Sequence, residues 1–322
     1  MAQYTYHEPV LAAEIIAFLV RKPGIYVDGT LGGGGHSLAI LRALFDAGYA
    51  EGSLLIGIDQ DDAALREAGE KLKEYQALTV LVKGNFQGIK GIVRRVCLEK
   101  GVQPKVTGIL LDLGVSSFQI DTAERGFSYL REGPLDMRMD MDAPVSARDI
   151  INSYDEKALA RLFYRYGEEP RSRSIARAIV AYRLNHGSIN ATQELAGIIR
   201  GNATGQDRII KTLSRVFQAL RIEVNSELDV LRKALYDGID CLDNQGRMAV
   251  ISYHSLEDRI VKTVFAEKAK SDWGPKGVGL REPLERGTIS LITRKPIVAA
   301  QEETDSNPRA RSAKLRVIEK IS

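Results

Sequence analysis

Near its start the chain runs Gly24-Ile25-Tyr26-Val27-Asp28 directly into Gly29-Thr30-Leu31-Gly32-Gly33-Gly34-Gly35, followed by a helical pattern from Ser37 to Phe45. A short apolar run, a glycine-rich turn and a helix make a strand–turn–helix unit. Glycine lets the backbone turn tightly and approach a ligand, and Ser37 is a residue type that caps helices. The rhythm repeats. Leu54 to Asp59 reads as a second strand before a charged amphipathic helix over Asp61 to Tyr75. Thr79 to Val82 reads as a third strand before a helix over Gln87 to Lys100, and Val106 to Asp112 as a fourth strand. Apolar strands alternating with helices predict a parallel sheet covered on both faces.

After Asp112 the rhythm breaks. Leu113 to Pro144 is rich in Gly, Ser, Asp and Met without a clear period, and so long a loop is usually functional or disordered. From Ala147 to about Arg215 only helical patterns occur. Strands return at Arg247–Ser252, Thr288–Thr293 and Lys314–Ile318, with a Pro/Gly-rich loop over Trp273 to Arg286. The expected organisation is therefore an α/β domain, residues 1–118 and 215–322, carrying an inserted all-helical domain, residues 119–214.

The 322 residues include no apolar run long enough for a membrane span. Val10 to Val20 contains Glu14 and lacks a small-residue cleavage site. The spacing of Leu11, Ile15 and Leu19 suits an amphipathic helix rather than a leader. Cys97 and Cys241 cannot frame a disulfide scaffold, neither sits in a metal-ligand cluster, and no metal is expected; a reducing, cytoplasmic setting fits. A net charge of +3 says little about partners. Its distribution says more: between Arg161 and Arg221 eleven basic side chains face four acidic ones. That stretch is either a set of solvated helix faces or a phosphate-facing surface, and its concentration in one segment points to the latter.

The glycine-rich turn is not a dinucleotide fingerprint. Counting from Gly32 or Gly33, the sixth position is Ser37 or Leu38, and no Gly-Lys-Ser/Thr is present for a phosphate loop. An acidic residue followed by glycines at alternate positions (Asp28, Gly32, Gly34) resembles the first motif of class I (Rossmann-like) methyltransferases, with Thr30 where many members have glycine. Such a site holds S-adenosyl-L-methionine, whose cationic sulfonium and ammonium call for a carboxylate, either Asp28 or a neighbour. Asp59, ending the second strand, suits the vicinal ribose hydroxyls; the alternative is a helix cap for Asp61 onward. Phe86 is either a ring for adenine or a core residue. At Asp112-Leu113-Gly114-Val115-Ser116-Ser117 the Asp/Asn-Pro-Pro-aromatic motif of many amino-methylating enzymes is missing its prolines.

Longer motifs make the resemblance specific. They are His7-Glu8-Pro9-Val10-Leu11, Asp28 to Ser37, Asp112 to Ser117 with Gln119, Arg125-Gly126-Phe127-Ser128 and Pro134 to Met139. Tyr166-Gly167-Glu168-Glu169, Phe217 to Ile222, Ser252 to Arg259 and Asn307 to Ser312 continue them. In these the chain resembles the RsmH/MraW family of bacterial enzymes that methylate N4 of a cytosine in small-subunit ribosomal RNA. One departure is Lys211-Thr212-Leu213-Ser214-Arg215, where many members read His-Pro-Ala-Thr-Arg. The resemblance implies cofactor contacts at Gly34, Gly35, His36, Asp59, Phe86, Asp112 and Gln119. It implies RNA recognition by the inserted domain, and 16S rRNA of the small ribosomal subunit, near its decoding region, as partner. A homodimer is one assembly compatible with the sequence.

Cytosine N4 is a weak nucleophile, because its lone pair is delocalised into the ring. Positioning and a hydrogen-bond acceptor for the amino group are the expected means of catalysis. Candidate acceptors are Asp112, the Ser116 hydroxyl and nearby backbone carbonyls, with Asp112 expected chiefly at the cofactor; His254, after the fifth strand, reads as a proton acceptor, a phosphate ligand or a structural residue. The Asp136–Met139 loop reads as a lid or as an ordered loop, and Arg309 and Arg311 as phosphate contacts or a solvated tail. Methylation at C5 is disfavoured, since it needs a thiolate and neither cysteine is placed for it.

Overall fold

Seven strands form one sheet: β1 Ile25–Asp28, β2 Leu54–Asp59, β3 Thr79–Lys83, β4 Val106–Asp112, β5 Leu242–Ser252, β6 Ile289–Leu291 and β7 Lys314–Lys320. The computed structural model describes residues 9–202, 205–274 and 282–321. His7 and Glu8 of the first motif, and residues 275–281 of the Pro/Gly-rich loop, lie outside the described residues.

The strand order is β3-β2-β1-β4-β5-β7-β6. The first five strands pair in parallel, and β7 runs antiparallel to both β5 and β6. This is the class I sheet, with one correction to a wholly parallel expectation: β7 alone reverses, inserted between β5 and β6, which run the same way. β1 and β4 are buried along nearly their whole length, as their apolar sequences require. Chain order reverses direction across the sheet between β1 and β4, so the crevice beyond their carboxyl ends is where a ligand belongs in such a fold.

The chain divides into two compact units, residues 1–114 with 229–322, and residues 115–228. In the first, Leu11, Ile15 and Leu19 of the N-terminal segment are buried with Leu41, Leu44, Leu110 and Val317. Each such side chain contributes roughly 1.5–3 kcal/mol by leaving water. The amphipathic reading of this segment is met by helix Ala12–Leu19.

The second unit is helical: Ala147–Ser153, Glu156–Gly167, Ser172–His186, Thr192–Gly201 and Gln206–Asn225. On the last of these, Leu213, Val216, Phe217 and Leu220 bury one stripe at helical spacing in a core shared with Ile151, Leu159, Phe163 and Leu195. Residue 215, expected to begin the return to the α/β domain, lies inside this uninterrupted helix. The aperiodic stretch after Asp112 is an ordered part of the unit. Arg138 pairs with Asp136 at 2.7 Å and donates to the carbonyls of Met141 and Ala143. Asn225 accepts from the Met139 N–H and donates to the Met137 carbonyl, and Met137 is fully buried. The Asp136–Met139 segment is thus an ordered loop tied to Asn225, with Met137 in the core of this unit.

Candidate active site

The glycine-rich loop is tied to the tips of three neighbouring strands. Gly29 N–H donates to the Leu110 carbonyl of β4 and Leu31 N–H to Ile58 of β2. Gly32 N–H donates to Asp59 Oδ2 at 2.9 Å, and the Thr30 hydroxyl accepts from Asp112 N–H at 2.6 Å. Gly34 caps helix Gly35–Asp46 in the left-handed conformation, φ 76°, which glycine adopts without strain. Ser37 is thus not the cap. It sits inside the first turn, fully buried, and donates its hydroxyl to Asp28 Oδ2 at 2.7 Å. Thr30 N–H takes the other Asp28 oxygen. Asp28 is only 1% exposed, so it builds the loop and offers no face to a ligand.

Asp59 and Asp112 do offer one. Both Asp59 oxygens are held by backbone donors, Gly32 N–H and Asp61 N–H, each at 2.9 Å, which fixes the carboxylate while leaving lone pairs on each oxygen. The helix from Asp62 is capped by Asp61, whose side chain accepts from Ala63 N–H. Asp59 is therefore spared that duty. The Asp112 side chain is 24% exposed. Its Oδ1 accepts from the Tyr253 hydroxyl at 2.7 Å, and its Oδ2 lies 3.5 Å from His36 Nδ1. His36 Nε2 lies 2.9 Å from the Val10 carbonyl, an acceptor only, so Nε2 carries a proton. Phe86 begins a short 3-10 turn after β3 and is half-buried, not a core residue.

The electrostatics are those of a cation site. Burial pushes all three carboxyls, Asp28, Asp59 and Asp112, above the ordinary carboxylate range. For Asp28 and Asp112 the chief opposing influence is the positive charge His36 carries when its ring is protonated, and at Asp112 the Tyr253 hydrogen bond and the Arg309 charge add to it. Arg309, expected at RNA phosphates or in a solvated tail, thus acts on Asp112. Three desolvated acidic groups close together favour a positively charged ligand.

His254 is the N-cap of helix Ser255–Ala269. Its Nδ1 accepts from Glu257 N–H at 3.4 Å, and its Nε2 lies 3.1 Å from Glu257 Oε1. Nδ1 is thus taken by the helix cap, whereas the buried Nε2 makes no hydrogen bond. Ser116 and Gln119 belong to the second unit. There they form a reciprocal cap on helix Ser117–Asp121: Gln119 N–H donates to Ser116 Oγ, and Gln119 Oε1 accepts from Ser116 N–H. Tyr253 was missed in the sequence. Its signal was its place one residue past the end of β5, beside the tip of β4.

The model of the MraW methylase family matches residues 4–321. The chain belongs to the MraW methylase family. Among relatives, the ribosomal RNA small subunit methyltransferase H of Pelodictyon phaeoclathratiforme is 76% identical over 321 residues, covering 100% of this chain and 97% of its own. The protein of the same name from Chlorobium phaeobacteroides is 64% identical over 322 residues, covering 100% of this chain and 98% of its own. That from Chlorobium limicola is 61% identical over 318 residues, covering 99% of each chain. In this MraW methylase chain no helix among the described residues is long and apolar enough to cross a membrane.

Proposed function

We propose that the protein transfers a methyl group from S-adenosyl-L-methionine to the exocyclic N4 of a cytosine in 16S rRNA of the small ribosomal subunit, near the decoding region, in the cytoplasm. The observation that carries this is the pair of carboxylates, Asp59 and Asp112, at the tips of β2 and β4 beside the glycine-rich loop, in a chain whose relatives bear the name of a small-subunit rRNA methyltransferase.

The residues fit the cofactor. Asp59 presents a fixed carboxylate suited to a vicinal diol, Phe86 a half-exposed ring suited to adenine, and Gly34 and Gly35 a backbone surface at a helix start. Asp112, backed by His36, suits the ammonium or the target amine. When bound, the cofactor supplies an electrophilic methyl group. The chain's part is to hold the amine in line and to accept a hydrogen bond from it, so that its lone pair turns out of the ring plane. Asp112, at the tip of β4, keeps part of its carboxylate accessible and has spare lone pairs to accept that bond. His254 Nδ1 is held by the helix cap while its buried Nε2, 3.1 Å from Glu257 Oε1, makes no hydrogen bond, and we assign this ring to shaping the turn behind Tyr253 rather than to the proton step. A C5 mechanism lacks its nucleophile: both cysteines are buried, and burial holds the Cys241 thiol at about 11.

We assign RNA contact to the second unit. Along helix Glu156–Gly167, Lys157, Arg161, Tyr164 and Arg165 fall on one exposed face at helical spacing, and Tyr164 is 69% exposed. Cations beside an exposed aromatic suit phosphate contact and base stacking. The test is methyl transfer from labelled S-adenosyl-L-methionine to small ribosomal subunits, naked small-subunit RNA and duplex DNA. Label in ribosomal RNA, abolished by Asp59→Ala, supports the reading. Label confined to DNA, or none in any acceptor, overturns it.

A further inference from the structure

Most of the Asp112 side chain is withdrawn from water, and that desolvation works against the carboxylate form that a cation site needs. Its Oδ1 receives the Tyr253 hydroxyl at 2.7 Å. The Tyr253 end of this bond is fixed from behind. The buried Glu257 side chain accepts from Tyr253 N–H at 2.8 Å and from His254 N–H at 3.3 Å, and the His254 cap holds Glu257 N–H in turn. The phenol is thus anchored at its backbone by the start of one helix and at its hydroxyl by the tip of β4, 141 residues away in sequence.

We propose that Tyr253 is a positioning residue for the methyl-transfer site, acting through Asp112. Its hydroxyl fixes the Asp112 rotamer and keeps that side chain a carboxylate, with Oδ2 left for the ligand's cationic end. The inference rests on the cofactor reading above. The hydroxyl is suited to the task because it stays protonated: burial first, then the Asp112 charge, push its ionisation far above the ordinary phenol range. It is therefore a standing donor that cannot compete as an anion. The other charged groups facing Asp112 are His36, Asp28 and Arg309, and Arg309 and Glu257 also act on Tyr253. Tyr253→Phe leaves all of these in place and removes one hydrogen bond to the ionised form. A net bond of this kind corresponds to an upward shift of about one pH unit in the Asp112 titration.

The experiment follows the Asp112 carboxyl carbon by NMR in aspartate-labelled protein without cofactor, the resonance being identified by its loss in Asp112→Asn. S-adenosyl-L-methionine affinity is measured on the same samples across pH. In Tyr253→Phe the Asp112 midpoint is expected to rise by about one unit. The acid limb of the affinity profile should move with it, and affinity should recover at high pH. An unchanged midpoint, or an affinity loss equal at every pH, overturns the proposal. Asp112→Asn with and without Tyr253→Phe gives a second measure, because a residue acting through Asp112 adds no further loss once Asp112 is neutral, whereas additive losses refute it. Wild-type protein that fails to bind the cofactor at any pH would instead sink the cofactor reading, while leaving the carboxyl titration readable.

Discussion

Replacing Asp112 by asparagine keeps each neighbour of that side chain satisfied while deleting its charge. Asparagine Oδ1 accepts the Tyr253 hydroxyl as the carboxylate does. Its amide donates toward His36 Nδ1, which bears a lone pair when the ring is neutral with its one proton on Nε2 facing Val10. Wild type sets an unprotonated nitrogen against a carboxylate oxygen at 3.5 Å unless a proton is held between them; the variant replaces this with a donor–acceptor pair. One net hydrogen bond gained is worth about 1 kcal/mol. For a chain of 322 residues that corresponds to a rise of about 1–2 °C in Tm. Cofactor affinity should fall roughly 10- to 100-fold, the equivalent of a charge-assisted bond of about 1.5–3 kcal/mol. The variant should therefore be at least as stable as wild type and much weaker in binding. Its pH dependence follows from the raised Asp112 pKa. The folded state pays for the ionised carboxylate only above the ordinary value of 3.8, and fully above the folded-state pKa. The advantage of asparagine grows as the pH rises through that window and fades as the pH falls through it. Urea unfolding without cofactor and calorimetric titration with it supply both numbers. A variant more than 1 kcal/mol less stable than wild type, or one with unchanged affinity, refutes the argument.

Other perturbations separate the remaining parts. Gly126→Ala sets a side chain at φ 72°, with its Cβ 2.1 Å from the Pro134 carbonyl oxygen, and should cost about 3 kcal/mol in the helical unit by urea titration. Burial raises the Asp258 carboxyl, but the Arg316 bond at 2.7 Å and the Arg316 and Lys314 charges outweigh it and leave the pKa lowered. The stability this gives is present above 3.8 and lost as pH falls through the lowered value, and Arg316→Met should remove about 3 kcal/mol at neutral pH. Arg161→Ala with Arg165→Ala should weaken binding to small-subunit RNA and reduce the slope of log affinity against log salt by about two; an unchanged slope removes that helix face from the interface. Cys97→Ala and Cys241→Ala should retain methyl transfer, whereas loss of activity with intact folding would reinstate a thiolate mechanism.

Strand positions and the glycine-rich turn were legible because both depend on neighbours in sequence: apolar runs such as Leu54–Ile58, and a turn between β1 and its helix. What escaped depends on distant partners. Ser37 has the character of a cap, yet Gly34 takes the left-handed position and Asp28 claims the Ser37 hydroxyl. The Asp136–Met139 stretch shows no period, because Asn225, far along the chain, pins it. For Tyr253 the sequence shows only its place just past the end of β5, since its hydroxyl meets a side chain on another strand. His36 entered only through the family motif, and its contacts, Val10 and Asp112, come from separate segments. Polar groups that act across the sheet are the part of a site that periodicity does not reveal.

The most direct test of the central claim is the identity of the methylated nucleoside. Small ribosomal subunits lacking the modification would be incubated with the protein and labelled S-adenosyl-L-methionine, and the RNA digested and resolved by mass spectrometry. The account predicts label in N4-methylcytidine; label in 5-methylcytidine, in a ribose-methylated nucleoside, or in no nucleoside at all would contradict it.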